Sequence, residues 1–162
     1  FNDPNPVLYF EHKALYRSIR QEVPEGYYTT EFGKASLIRE GSDVTIITYG
    51  AGVHWAMEIL DELEVDSADL LDLRSLQPLD KETICESVTK TGKAIVLTED
   101  SLTGSFASEI AAMITENCFE SLDAPVYRVG SLETPIPFAK ELENQYLPKD
   151  RFKLKLQELL YY

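Results

Sequence analysis

Two periods of hydrophobic and polar positions alternate along this chain. Val44-Thr45-Ile46-Ile47-Thr48-Tyr49 is an apolar strand run that breaks at Gly50-Ala51-Gly52. Over 53–64 the period becomes helical, with Val53, Ala56, Met57, Leu60 and Leu63 on one face. A second strand over 69–73 runs into Asp72-Leu73-Arg74-Ser75-Leu76-Gln77-Pro78-Leu79-Asp80. Strand, glycine turn, helix, strand is half of a doubly wound sheet. Upstream, Lys34-Ala35-Ser36-Leu37-Ile38-Arg39 alternates like a half-exposed strand. The short Glu40-Gly41-Ser42 connection into strand 43–49 predicts an antiparallel hairpin between the two.

Further along, Asp80 is a good N-cap for a helix over 81–91, where Ile84 and Val88 share a face and Gly92 is the stop. Ala94-Ile95-Val96-Leu97 is continuously apolar, as a parallel strand buried on both faces must be. Ser105 can cap a helix over 106–116 with the stripe Phe106, Ile110, Met113 and Ile114. Ala124 to Val129 reads as the last strand. Pro135-Ile136-Pro137, a short helix near 138–144 and a final helix from Arg151, lined by Phe152, Leu156, Leu159 and Leu160, complete the chain. The expected fold is α/β: a three-layer open sheet, mostly parallel with one antiparallel edge strand and right-handed crossovers.

The first 31 residues do not join this pattern. Asp3-Pro4-Asn5-Pro6 is a turn, and Val7-Leu8-Tyr9-Phe10 is a strand that belongs to a sheet elsewhere. Ser18 to Thr30, with Pro24 and Gly26, has no period and reads as a linker. With Phe1 rather than Met at the start, the expectation is a cut inside a longer protein. Residues 1–31 would be the end of a preceding domain plus linker, and 32–162 the domain proper.

At 162 residues the chain can bury one good core. A formal charge of −13 argues against nucleic acid and anionic membranes as partners; it could attract a basic partner domain, though keeping the protein soluble explains it better. No apolar run approaches the ~18–20 residues of a membrane span. Two cysteines, Cys85 and Cys118, make neither a disulfide framework nor a four-ligand zinc site, which favours a reducing, cytoplasmic setting. Cys85 falls on the apolar side of its helix as a small core residue.

Candidate chemistry is sparse. After a strand, the Gly50-Ala51-Gly52 turn could hold a phosphate, but Trp55 stands where the dinucleotide pattern needs a third glycine. Close helix–sheet packing explains the small residues better. His12 and His54 are the only imidazoles, and neither has clustered acids for a metal. Glu99-Asp100 ends strand 94–98, at the edge where open α/β sheets place ligands. With no base or second acid near it in the sequence, a capping or solvated role outweighs a catalytic one. No self-contained active site emerges: no catalytic, cofactor-binding or metal-ligating residue is assigned.

Four blocks carry a resemblance: Phe10-Glu11-His12-Lys13; Arg39-Glu40-Gly41-Ser42-Asp43-Val44-Thr45; Asp72 through Asp80; and Leu122-Asp123-Ala124-Pro125 through Pro135-Ile136-Pro137-Phe138-Ala139-Lys140. Together they resemble the C-terminal domain of transketolase-like enzymes, most nearly the β subunit or β half of thiamine-diphosphate-dependent 2-oxo acid dehydrogenases, the E1 component. The Asp3-Pro4-Asn5-Pro6-Val7 opening and the Val23-Pro24 to Tyr27-Tyr28 spacing look more like the branched-chain (2-oxoisovalerate) enzymes than the pyruvate ones.

The resemblance implies a domain without chemistry of its own. Thiamine diphosphate and Mg would sit between two other domains, in an enzyme that oxidatively decarboxylates a 2-oxo acid and acylates lipoamide. This stretch would bind neither, because the chain has no Gly-Asp-Gly followed by a metal-ligating Asn. The implied partners are a second copy across a two-fold axis, the remaining E1 domains or α subunit, and the subunit-binding domain of the E2 acyltransferase. For E2 docking the matching positions are Asp123 and the carboxylate of Tyr162, both able to receive Arg or Lys. Asp123 can equally cap its own turn before Pro125. Two readings compete. One is the same domain from transketolase or deoxyxylulose-phosphate synthase; the other is a flavodoxin-like nucleotide module, which the missing phosphate pattern disfavours.

Overall fold

In the computed structural model, which describes residues 3–162, the apolar runs assemble one five-stranded sheet. The strands are β1 (Ser36–Arg39), β2 (Val44–Thr48), β3 (Ala68–Asp72), β4 (Ala94–Ser101) and β5 (Tyr127–Ser131), in the order β1-β3-β2-β4-β5. Strands β2 to β5 are parallel, and β1 is the antiparallel edge.

The helices are α1 (Leu15–Ser18), α2 (Ala51–Glu62), α3 (Lys81–Thr91), α4 (Phe106–Cys118), α5 (Lys140–Tyr146) and α6 (Lys149–Leu160). Successive strand residues serve opposite faces, so two cores form. On one face Val44, Ile46, Leu70, Ile95, Leu97 and Val129 pack under α2 and α6, around the fully buried Phe152. On the other, Ile47, Leu71 and Val96 meet Ile84 and Val88 of α3 and Ile110, Met113 and Ile114 of α4. The result is a three-layer mixed sheet, as expected from the pattern.

The hairpin expected between 34–39 and 43–49 does not form. β1 pairs with β3, Ser36 opposite Asp72, and β2 lies on the far side of β3. The connection steps around the N-terminal end of β3 because that end holds it. Gly41 donates its N–H to Asp69 Oδ1 at 2.7 Å, and the N–H groups of Ser42 and Asp43 both reach the Ser67 carbonyl. A Cβ on Gly41 would lie 2.2 Å from the Ser67 carbonyl carbon, so only glycine passes here.

Other differences are local. Residues 7–10 form no strand, and Leu8, Tyr9 and Phe10 are exposed. Met57 points outward and Ile59 takes its place in the core. Ser105 stands at the N-cap of α4, but its hydroxyl bonds the Leu102 carbonyl instead of capping. Asp80 does cap α3, accepting from Thr83 N, and Gly92 closes it in the left-handed conformation at φ 70°. Among the described residues no helix is long and apolar enough to cross a membrane.

Candidate functional site

The crossovers leave β2 toward β3 on one side and β4 on the other, so the sheet's topological switch point lies between the C-terminal ends of β2 and β4. A cleft of about 360 Å3 opens there, lined by Tyr49, Thr98, Glu99, Asp100, Glu143 and Tyr146 among others. Tyr49 and Thr98 share a 3.0 Å hydrogen bond between their hydroxyls. Asp100 accepts the N–H of Ser101. Glu99 is not alone: His12 Nε2 lies 2.9 Å from its Oε2, across 87 residues of sequence. The sequence signal for this pair was slight, because nothing in the period of residues 1–31 says where that segment lies.

At the same edge, the Gly50 turn is packing rather than a phosphate loop. Gly50 takes φ 59° to start α2, and a Cβ on Gly52 would stand 2.0 Å from Thr48 Oγ1. The helix therefore rests directly on its own strand. His54, in the first turn of α2, is half-buried. Asp72 nearby has its carboxyl pushed above the ordinary carboxylate value by burial, against the pull of its hydrogen bond from Arg74 N–H and the Arg74 and His54 side chains.

The opposite, N-terminal edge of the parallel strands carries the two expected partner residues. Asp123 is exposed, its N–H donates to the Gly92 carbonyl at 2.8 Å, and its carboxylate stands over the Gly92 Cα. Its backbone is thus tied to the end of α3. Tyr162 is exposed at the end of α6, its N–H bonded to the Leu159 carbonyl. Between these positions Tyr127, the first residue of β5, donates its hydroxyl to Glu158 Oε1 at 2.7 Å. That bond raises Tyr127 to about 12, with burial and the Glu158 charge adding to it. Glu158 is held below its usual range by Lys155, 2.6 Å away, and by Tyr127. Both expected residues therefore share one end of the domain, beside a braced tyrosine–carboxylate–lysine cluster.

Cys118 is buried, and burial together with contact with Cys85 pushes its thiol up to about 12. Cys85 is only half-buried, 3.9 Å from the Met113 sulfur, so it caps the core rather than filling it. Among the described residues no group of three or more His, Cys, Asp or Glu side chains could hold a metal ion. The two candidate surfaces are a cleft at one end of the sheet and the exposed Asp123 carboxylate at the other.

Comparison with known proteins agrees with this architecture. The family model described as "Transketolase, C-terminal domain" matches residues 33–151. The 2-oxoisovalerate dehydrogenase subunit beta of Bacillus subtilis (strain 168) is 45% identical over 161 residues, covering 97% of this chain and 49% of that protein. The pyruvate dehydrogenase E1 component subunit beta of the same organism is 48% identical over 151 residues, covering 92% and 46%. A split-gene transketolase, solved as an inactive β4 tetramer, superposes with a TM-score of 0.66 at 29% identity, over 88% of this chain and 47% of that one. The chain thus spans about half the length of the curated relatives it matches. With its strand order, its antiparallel edge and these relatives in agreement, the chain belongs to the transketolase C-terminal domain family and is similar to E1 β subunits.

Proposed function

We propose that this chain is the non-catalytic C-terminal domain of a 2-oxo acid dehydrogenase E1 β subunit or β half. The observation that carries the reading is 45–48% identity to two E1 β subunits over more than nine-tenths of the chain. In this reading the parent enzyme uses thiamine diphosphate and Mg, held by its other domains, to decarboxylate a 2-oxo acid oxidatively and acylate lipoamide in the cytoplasm. Residues 1–31 are the end of the preceding domain plus the linker, and 32–162 form the domain proper. The 2-oxo acid is branched-chain, on the strength of the Asp3-Pro4-Asn5-Pro6-Val7 and Val23-Pro24 features.

The domain's own work is assembly. It pairs with a second copy and with the rest of E1, and at its Asp123 and Tyr162 end it receives the subunit-binding domain of E2. A chain carrying −13 presents a favourable field to a basic partner. An exposed carboxylate such as Asp123 is suited to a charge-assisted bond from Arg or Lys. Transketolase itself is the second reading, favoured by the structural superposition at 29% identity. Two experiments separate these outcomes. Titration calorimetry of this chain with thiamine diphosphate and Mg should give no heat, and saturable binding would sink the non-catalytic assignment. The intact parent should oxidise 4-methyl-2-oxopentanoate faster than pyruvate when supplied with lipoylated E2. Ketol transfer between sugar phosphates instead would establish the transketolase reading.

A further inference from the structure

We propose that residues 12–33 form a strap across the C-terminal edge of the sheet, and that the His12–Glu99 pair is the latch that holds it down. The strap has two attachment points. At one end Gly33 lies against Pro78, Lys34 reaches Asp80 and Glu82 at 3.9 and 3.6 Å, and Ala35 N–H bonds Asp80 Oδ2 at 2.9 Å. These contacts sit just beyond the C-terminal end of β3. At the other end His12 Nε2 meets Glu99 Oε2, near the C-terminal end of β4. Strand β2 lies between β3 and β4, so the strap passes over the switch point of the sheet.

Between these attachments the strap contains the single turn of α1, and every residue from Arg20 to Phe32 is exposed. The latch is the better-enclosed contact: His12 is half-buried, and its Nδ1 is shut away from solvent without a hydrogen-bond partner. The ring is therefore oriented by Glu99 alone, through Nε2. Glu99 also lines the cleft of about 360 Å3 at the switch point. Opening the latch would lift the strap and return an unpaired Glu99 carboxylate to the cleft wall. Closed, it fixes where the strap leaves the domain, and so the angle at which the chain preceding residue 12 is attached. This inference stands on the contacts of this chain alone and does not depend on its parent enzyme.

Limited trypsin digestion of the whole chain tests it, read by mass spectrometry at the strap bonds after Lys13, Arg17 and Arg20, and alongside by amide exchange. A half-exposed hydrogen-bonded contact governs local opening by a modest factor, so His12→Ala and Glu99→Ala should each speed strap cleavage roughly 2- to 5-fold. The double variant should cleave no faster than either single one, since both remove one interaction. Amides of β2 and β4 should exchange as before, and Glu143→Ala, on the same cleft wall, should leave strap cleavage unchanged. Unchanged cleavage in the single variants, multiplying effects in the double one, or exchange gained across the sheet would overturn the latch.

Discussion

Replacing Asp69 by Ala should be among the most damaging single polar changes in this domain. The carboxylate is 1% exposed and takes three donors: Gly41 N–H at 2.7 Å, Ser87 Oγ at 2.5 Å and Lys90 Nζ at 2.8 Å. Ser87 in turn meets Thr45 Oγ1, which meets Thr91 Oγ1, both at 2.8 Å, so the network joins β2, β3 and α3. Lys90 is 40% exposed and can return to water. The half-buried Gly41 N–H and the buried Ser87 hydroxyl, left with Thr45 alone, cannot readily do so, and each poorly satisfied group costs roughly 1–3 kcal/mol. The expected loss is therefore about 2–5 kcal/mol. For a chain of this size that lowers Tm by roughly 5–15 °C. Urea unfolding should show a lower midpoint with an unchanged slope. Asp69→Asn, which keeps an oxygen for Gly41, should cost less. A loss under about 1 kcal/mol for Asp69→Ala would refute the claim that this carboxylate pins the β1–β2 crossing.

Four further outcomes follow from the same structure. Phe152→Ala empties the centre of the α2–α6 core, and its fully buried ring predicts a loss of about 3–5 kcal/mol in urea unfolding. Gly92→Ala must accept φ 70° and a Cβ 2.2 Å from Asp123 Oδ2, so it should cost about 1 kcal/mol or more and displace the Asp123 side chain, visible in its NMR shifts. Burial raises Asp80, but hydrogen bonds from Ala35 and Thr83 and the Lys34 charge outweigh it and hold the carboxyl below its usual range. The folded value being the lower one, Asp80 adds stability above about pH 4 that drains away as pH falls through it, and Asp80→Asn should flatten that acid limb in pH-dependent unfolding. Finally, iodoacetamide at pH 8 should label the half-buried Cys85 well before the buried Cys118, whose thiol is pushed up to about 12. Equal rates in peptide mapping would contradict the described burial.

The layers of the fold were legible because each element carries its own period. Helix 81–91, with Asp80 before it and Gly92 after it, matches to the residue, since capping is a local interaction written in adjacent positions. Strand pairing was not legible in the same way. Leu37-Ile38-Arg39 and Val44-Thr45-Ile46 look like a hairpin, and Asp69, 28 residues beyond Gly41, together with the Ser67 carbonyl diverts the chain around β3. The strap failed for a related reason. His12 and Glu99 meet across 87 residues, and no periodicity encodes a contact between an irregular segment and a strand end. Asp123 and Tyr162 were located by resemblance. Their common end of the sheet follows from α6 running antiparallel to β5, with Glu158 brought to Tyr127.

The most direct test of the account is to titrate this chain with the purified subunit-binding domain of a branched-chain E2, by calorimetry at two salt concentrations. The account predicts saturable binding that weakens with salt, and an affinity reduced about tenfold or more in Asp123→Asn, since a desolvated charge pair loses one partner. Binding that ignores both Asp123 and salt, or no heat at all from the folded wild-type chain, would contradict the assignment of this domain as the docking end of an E1.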